Sequence, residues 1–85
     1  MSRNKQQQEA ELAQRYNAIA EPDPLRGKGW CSYRLNGWHI CERICDNRYI
    51  AWIMARVVDG HYTDHWRTKD SSVSSLETVF QRALS

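Results

Sequence analysis

Apolar and polar residues alternate along the middle of the chain, from Trp30 to Thr68. Three turn signals interrupt this alternation: Asn36-Gly37, Asp46-Asn47 and Asp59-Gly60. Asn-Gly and Asp-Gly are favoured in two-residue hairpin turns, where both positions take a positive φ. Alternation broken by such turns is typical of an antiparallel meander, so we predict four strands in this part of the chain.

Helical periodicity flanks the predicted strands on both sides. Residues 4–20 are rich in good helix formers, with Asn4 as the predicted cap, and the prolines of EPDP follow them. Ser74 and Glu77 have the spacing of a capping box at the start of a second helix. We therefore predict a single small α+β domain in the order α-β-β-β-β-α. Residues 1–29 would hold the first helix and a Pro/Gly linker, and residues 30–85 the four-stranded meander and the C-terminal helix.

The two-residue turns also predict which strand positions are paired. They set Leu35 opposite Trp38, Cys45 opposite Arg48 and Val58 opposite His61, and alternation assigns the rest to two faces. One face is then a core on which the C-terminal helix packs. Its predicted members are Tyr33, Leu35, Trp38, Ile40, Ile44, Tyr49, Ala51, Ile53, Ala55, Val57, Tyr62 and Trp66. The pattern does not assign the N-terminal helix to either face.

The opposite face contains no carboxylate in this register, and it combines basic with aromatic residues. The candidate binding residues are Arg34, Arg43, Arg48, Arg56, Arg67, Trp30, Trp52, His39, His61 and His65. Arginine binds phosphate groups through two parallel hydrogen bonds, and tryptophan stacks on unpaired bases. This composition predicts a surface that binds nucleic acid.

A protein partner is the alternative, because arginine and tryptophan are also prominent in protein interfaces. The chain would then be a protein-binding or inhibitory accessory protein, of the kind that phages and mobile elements encode, and the same face would hold an acidic protein surface. A homodimer would also cover the apolar residues of that face. The net charge of +2 is too small to decide between these partners.

The stretch from Cys41 to His65 has a spacing similar to that of a zinc finger, C-x3-C followed by H-x3-H. In the predicted meander all four ligands lie on one face, but a whole strand separates Cys41 and Cys45 from His61 and His65. Strands are about 4.8 Å apart, whereas zinc ligands lie within about 2.3 Å of the metal. This ligand set is therefore a weak alternative, and we predict no metal or other cofactor. No catalytic motif is evident, so we predict that the protein is not an enzyme.

Length and composition favour a cytoplasmic protein. The 85 residues contain no apolar run near the roughly 20 residues that span a bilayer, and the N-terminus lacks the apolar core of a signal peptide. Three cysteines, an odd number, favour reduced thiols over a disulfide framework. We therefore expect no association with a membrane.

Overall fold

The computed structural model describes residues 4–23 and 27–85, with the backbone alone for residues 27–29; part of the predicted linker, residues 24–26, lies outside this range. The elements are α1 (Lys5–Tyr16), β1 (Ile19–Asp23), β2 (Gly27–Leu35), β3 (Trp38–Cys45), β4 (Tyr49–Val58), β5 (His61–Arg67) and α2 (Val73–Ala83). The strands form one antiparallel sheet in the order β1-β2-β3-β4-β5. The predicted α+β class is confirmed, but the described residues form five strands rather than four.

The additional strand, β1, comes from residues that we assigned to the end of the first helix and the linker. Helix α1 ends at Tyr16 because Asn17 takes the left-handed conformation, with φ at 59°, which asparagine adopts more readily than most residues. The Ala18 N–H then donates to the Ala13 carbonyl at 2.9 Å and closes the helix end. The chain continues in extended form from Ile19 and pairs with β2.

Both helices begin at side-chain caps, one where predicted and one displaced. The Asn4 side chain accepts from the Gln7 N–H at 2.8 Å, and the Gln7 side chain accepts from the Asn4 N–H at 3.0 Å. The predicted cap of α1 is therefore confirmed. Helix α2 is capped by Ser72, whose hydroxyl accepts from the Ser75 N–H, so the prediction of a cap at Ser74 is wrong.

Two of the three predicted hairpin registers are confirmed. Leu35 pairs with Trp38 across the β2–β3 turn, and Val58 pairs with His61 across the β4–β5 turn. The glycine of each turn takes a positive φ, 80° in the first and 78° in the second, as a two-residue turn of this kind requires.

The β3–β4 turn overturns the third predicted register. Asp46 and Asn47 take the expected positive φ, at 55° and 54°. However, Cys45 pairs with Tyr49 and not with Arg48, so Arg48 is an extra residue in the turn. Because side chains alternate between the faces of a sheet, a shift of one residue reverses the facing of every side chain on β4.

Strand β5 contains an irregularity of its own, which returns the last residues of the strand to the face on which they were predicted. Ala55 pairs with Asp64, but Met54 pairs with Trp66, so His65 is an unpaired extra residue. Such a bulge changes the face of the residues beyond it. Trp66 therefore packs against the core beneath the helices, as predicted.

Both helices pack on the same face of the sheet, which we name the covered face. Its core contains Leu12 and Ala13 of α1, Leu76, Val79, Phe80 and Ala83 of α2, and Tyr33, Leu35, Ile40, Trp52 and Met54 of the sheet. The prediction that Ala51, Ile53 and Ala55 belong to this core is wrong. These three residues form a separate buried cluster with Cys41 and Cys45 on the other side of the sheet, the open face.

A buried ion cluster joins the start of α1 to β3. The Lys5 ammonium donates to Glu9 and, at 3.2 Å, to Glu42, and the Tyr33 hydroxyl donates to Glu9 at 3.5 Å. Burial raises the pKa of Glu9, although the bond to Lys5 opposes the shift. The cluster explains how a glutamate is accommodated among the apolar residues of the covered face, because its charge is paired.

Candidate nucleic-acid interface

The ten predicted binding residues do not share one surface, and Trp52 is the clearest correction. Its side chain is fully buried beneath the helices. Its ring N–H donates to the Ser72 carbonyl at 3.0 Å, and the Lys5 ammonium lies 5.2 Å from its ring centre. Trp52 is thus part of the core and offers no face to a base. The reversal of β4 accounts for the error.

The predicted arginines of the open face are paired with carboxylates. The pairs are Arg43 with Asp23 at 2.6 and 3.0 Å, Arg34 with Glu21 at 3.2 Å, and Arg67 with Asp46 at 3.1 Å. Two of these carboxylates, Glu21 and Asp23, belong to β1, the strand that the sequence pattern did not reveal. The prediction of a face without carboxylates is therefore wrong.

The Arg43–Asp23 pair is a structural contact. Asp23 is only 1% exposed, and both of its carboxylate oxygens accept from the Arg43 guanidinium. Burial by itself would lower the pKa of Arg43, but the hydrogen bonds to Asp23 and the surrounding charges outweigh it, and the pKa is raised. A guanidinium held in this way is not available to a ligand unless the ligand displaces a buried carboxylate.

His39 lies among these pairs and is held neutral. It is 5% exposed, its ring centre lies 4.7 Å from that of Tyr62, and its Nδ1 lies 3.9 Å from the Glu21 carboxylate. Its Nε2 has no hydrogen-bond partner within the described part of the chain. Burial lowers the pKa of His39. At neutral pH, His39 therefore offers a ligand no positive charge.

Cations without carboxylate partners gather instead where the β2–β3 hairpin meets α2. The Arg56 guanidinium lies 3.7 Å from the Trp38 ring centre, and the Arg82 guanidinium lies 4.5 Å from that of Trp66. The His65 ring meets Trp38 edge-on, with 5.2 Å between ring centres. We name these five residues the hairpin-end site. Across residues 4–23 and 27–85, neither arginine of the site forms a salt bridge.

Local structure explains how each side chain reaches this site. Trp38 is the first residue of β3, and His65 is the bulged residue of β5. Arg82 lies in the last turn of α2, where a basic residue suits the helix dipole. Arg56 packs against the hairpin turn so closely that a Cβ on Gly37 would lie 2.6 Å from its Nη1. Glycine at this position is therefore needed for the turn and for the placement of Arg56.

Two adjoining grooves give a ligand access to the site. One, of about 430 Å³, is lined by all five site residues together with Asn36, Met54 and Ser85. The other, of about 510 Å³, shares Asn36, Trp38 and Arg56 with the first and extends to Arg34 and His39 on the open face. The accessible cationic surface therefore passes around the end of the hairpin and does not spread over one face of the sheet.

The remaining predicted residues lie around this site or away from it. His61 is exposed at the β4–β5 turn, at the same end of the sheet as the site, whereas Arg48 is exposed at the opposite end, in the β3–β4 turn. Trp30 is 40% exposed near the start of β2. The sequence reasoning missed Trp38 and Trp66, which it assigned to the core, and Arg82. Trp38 and Trp66 do pack against the core, as predicted, but they also border the site. No local pattern indicates Arg82, because its position depends on how α2 packs.

The four candidate zinc ligands are divided between the faces. Cys41 and Cys45 are buried on the open face, whereas His65 contacts Trp38 on the covered face. The prediction that all four share a face is thus wrong. Among the described residues, no three His, Cys, Asp or Glu side chains converge on a position suited to a metal ion.

Comparison with known proteins yields no relative. The chain matches no protein-family model, no curated protein and no solved structure. Neither of the helices in the described residues is long and apolar enough to cross a membrane.

Proposed function

We propose that this protein is a non-enzymatic binding protein and that it binds nucleic acid through the hairpin-end site. One observation carries the proposal: two guanidinium groups that have no carboxylate partner among residues 4–23 and 27–85 lie over two tryptophan rings beside one groove. Arginine is the residue best suited to phosphate, because its planar group offers two parallel donors.

Stacking leaves the hydrogen-bonding capacity of these arginines intact. A guanidinium that lies on a ring uses its face, whereas its N–H donors point outward in its plane. Contact with Trp38 and Trp66 also restricts the side-chain conformations of Arg56 and Arg82 before a ligand binds. Less side-chain entropy is then lost when a phosphate binds. The site is therefore preorganised for an anion.

The contrast with the open face supports the choice of this site. Phosphate could engage Arg43 only by displacing Asp23, which is buried, and Arg34 and Arg67 have carboxylate partners as well. Arg56 and Arg82 require no such displacement. The proposal therefore keeps the predicted ligand class but moves the interface from the open face to the hairpin end.

A salt titration with two matched double variants tests the proposal. Arg56→Gln/Arg82→Gln and Arg48→Gln/Arg67→Gln remove the same charge, but only the first pair lines the grooves of the hairpin-end site. We expect the first variant to lose at least about tenfold in affinity for mixed-sequence oligonucleotides. Its plot of log affinity against log salt should be shallower by about 0.7 to 0.9 per lost phosphate contact.

The control variant should bind within about threefold of the wild type, because its arginines line neither groove of the site. Equal losses in both variants would show that overall charge and not the site governs binding. Absence of binding by the wild-type protein at low salt would overturn the nucleic-acid proposal.

A protein partner is the second candidate, favoured by an apolar rim on the open face. Ile19 and Val57 are more than half exposed and border the same groove, and the exposed Tyr62 lies on His39 nearby. Adjacent exposed apolar side chains are typical of a protein interface, and the Arg56 guanidinium in the same groove suits an acidic partner. Val57→Ser, which removes apolar surface but adds no charge next to Arg56, should weaken capture of such a partner far more than it weakens oligonucleotide binding. Sedimentation of both forms would show whether a homodimer occupies the rim.

A further inference from the structure

The arginines of the hairpin-end site offer stacking surfaces as well as charge. The central carbon of each guanidinium lies over a tryptophan ring, and both arginines are at least partly exposed to solvent. Nucleic-acid bases stack on guanidinium planes as they do on aromatic rings. A base placed on Arg56 or Arg82 would form the third layer of a stack that begins at the tryptophan. Only an unpaired base can leave its neighbours to do so.

The position of the hairpin in the sheet disfavours a duplex ligand. A β-ribbon enters a major groove as two strands, in a space about 12 Å wide. Here β2 is flanked by β1, and β3 is flanked by β4, so the hairpin does not project as a free ribbon. The end of β4, at Val58, also extends beyond the residues paired with β3. The sheet would therefore meet the rim of a major groove before its hairpin end could enter.

The charges around the site also suit the one phosphate backbone of a single strand better than the two backbones of a duplex. Duplex DNA carries a phosphate charge about every 1.7 Å along its axis. Next to the site, Asp59 is exposed in the neighbouring turn, Asp64 is exposed on β5, and Glu21 is paired with Arg34. A second phosphate backbone would meet these carboxylates, whereas a single strand that runs along the grooves would meet Arg56 and Arg82.

We infer that the hairpin-end site binds a single-stranded segment of nucleic acid, with unpaired bases stacked on Arg56 and Arg82. The N–H edges of the same guanidinium groups hold the adjacent phosphates. This inference rests on the proposed function and narrows its ligand. Two phosphate contacts on a single strand would give a plot of log affinity against log salt with a slope of about −1.4.

Four fluorescent probes with the same number of phosphates per strand separate stacking from charge. They are a short mixed-sequence single strand, as DNA and as RNA, the duplex of that sequence, and an abasic single strand. We expect the single strand to bind at least about tenfold more tightly than the duplex or the abasic strand, because stacking of one base accounts for a factor of this size.

Arg56→Lys/Arg82→Lys is the decisive variant, since lysine keeps the charge but has no planar group. We expect it to bind the normal single strand roughly tenfold more weakly and to bind the abasic strand more weakly by a clearly smaller factor, because there only the paired phosphate contacts, and no base stacking, are lost. Arg67→Lys, which lies outside both grooves of the site, is the matched control. Thermal unfolding verifies the fold, and Arg82→Lys alone, at an exposed position of α2, serves if the double variant is destabilised.

Each outcome has a distinct meaning. Equal affinity for the duplex would overturn the single-strand inference but leave the proposed function in place. Lysine variants that bind the normal strand as well as the wild type does would overturn stacking on arginine. Failure of every probe to bind at low salt would overturn the proposed function itself.

Discussion

The two faces of this sheet are both buried at their centres, but by different means. On the covered face, Trp52, Phe80 and the aliphatic residues of two helices exclude water by close packing. On the open face the buried residues are small, and none of them is larger than Ile53 apart from the adjoining Tyr49. Their neighbours across the strands are long polar side chains, Arg43 opposite Ala51 and His39 opposite Ala55.

This difference determines which arginines can bind a ligand. The open face satisfies its arginines internally, because β1 and the β3–β4 turn supply carboxylates next to them. At the edge of the covered face, Arg56 and Arg82 meet tryptophan rings, which hold a guanidinium without neutralising it. The number of arginines on a face is therefore a poor guide to binding, and the nature of their neighbours is a better one.

The largest effect should come from the covered face. Trp52→Ala removes a fully buried ring from the centre of the core and should lower the free energy of unfolding by about 3–5 kcal/mol. Val58→Ala, at an exposed position of the same strand, should change it by less than about 0.5 kcal/mol. Urea unfolding of both variants measures the difference. A small loss for Trp52→Ala would mean that the β3–β4 register predicted from the sequence is right.

That register was the main point at which sequence reasoning failed, and β4 itself explains the failure. Its sequence, YIAWIMARVV, is apolar at both odd and even positions. Whichever of its two sides β4 turns towards the helices, it contributes apolar residues to the core. The alternation of apolar and polar residues therefore could not distinguish the two registers. The outcome depended on whether Arg48 belonged to the turn or to the strand. Where glycine marked the turn, at Asn36-Gly37 and Asp59-Gly60, the predicted register is correct.

The other errors also arise from tertiary pairing that a local pattern does not contain. Ile19 fits the helical stripe of α1, but Asn17 ends the helix, and the segment from Ile19 onward pairs with β2. For the site, Arg56 and His65 were identified as candidates, although on the wrong face. Arg82 was missed because only the packing of α2 brings it to Trp66.

The second-largest effect should come from breaking an ion pair of the open face. Arg43→Met removes the bidentate partner of the buried Asp23, so we expect a loss of roughly 1.5–3 kcal/mol in the free energy of unfolding. Adding Asp23→Asn should recover part of this loss, since the buried negative charge is then absent. Arg67→Met breaks an exposed pair and should cost less than about 1 kcal/mol. Equal losses of stability in Arg43→Met and Arg67→Met would indicate that water reaches both ion pairs.

Two glycines permit a third test, which links the fold to the site. Gly37 and Gly60 both take a positive φ, but an added Cβ meets Arg56 only at Gly37. Alanine at either position should cost roughly 1–2 kcal/mol of stability. Gly37→Ala should also weaken oligonucleotide binding, because it moves Arg56 away from its place on Trp38. Gly60→Ala should leave binding unchanged. Loss of binding in both variants would point to general destabilisation instead.

The smallest effect concerns protonation of His39 on the open face. Burial lowers the pKa of His39 below its ordinary value of 6.5; Glu21 and Asp23 oppose the shift, and Arg43 and Arg34 add to it. The unfolded chain therefore takes up this proton at a higher pH than the folded protein does. By linkage, the stability gained from a neutral His39 is present above pH 6.5 and is lost as the pH falls towards the folded pKa.

Chemical denaturation of the wild type and His39→Gln across pH values from about 8 to about 5.5 isolates this contribution, because His39 is the group that the substitution removes. The stability advantage of the wild type over the variant should shrink as the pH falls. Two parallel curves would mean that His39 titrates as it does in the unfolded chain and is not shielded by Tyr62. The covered-face variant Trp52→Ala should show no such convergence with the wild type, because its charged neighbour Lys5, whose pKa is raised against the opposing effect of burial by its hydrogen bonds to Glu9 and Glu42, stays protonated across this range. The pH dependence of stability would then distinguish a residue buried by apolar packing from a residue buried among ion pairs.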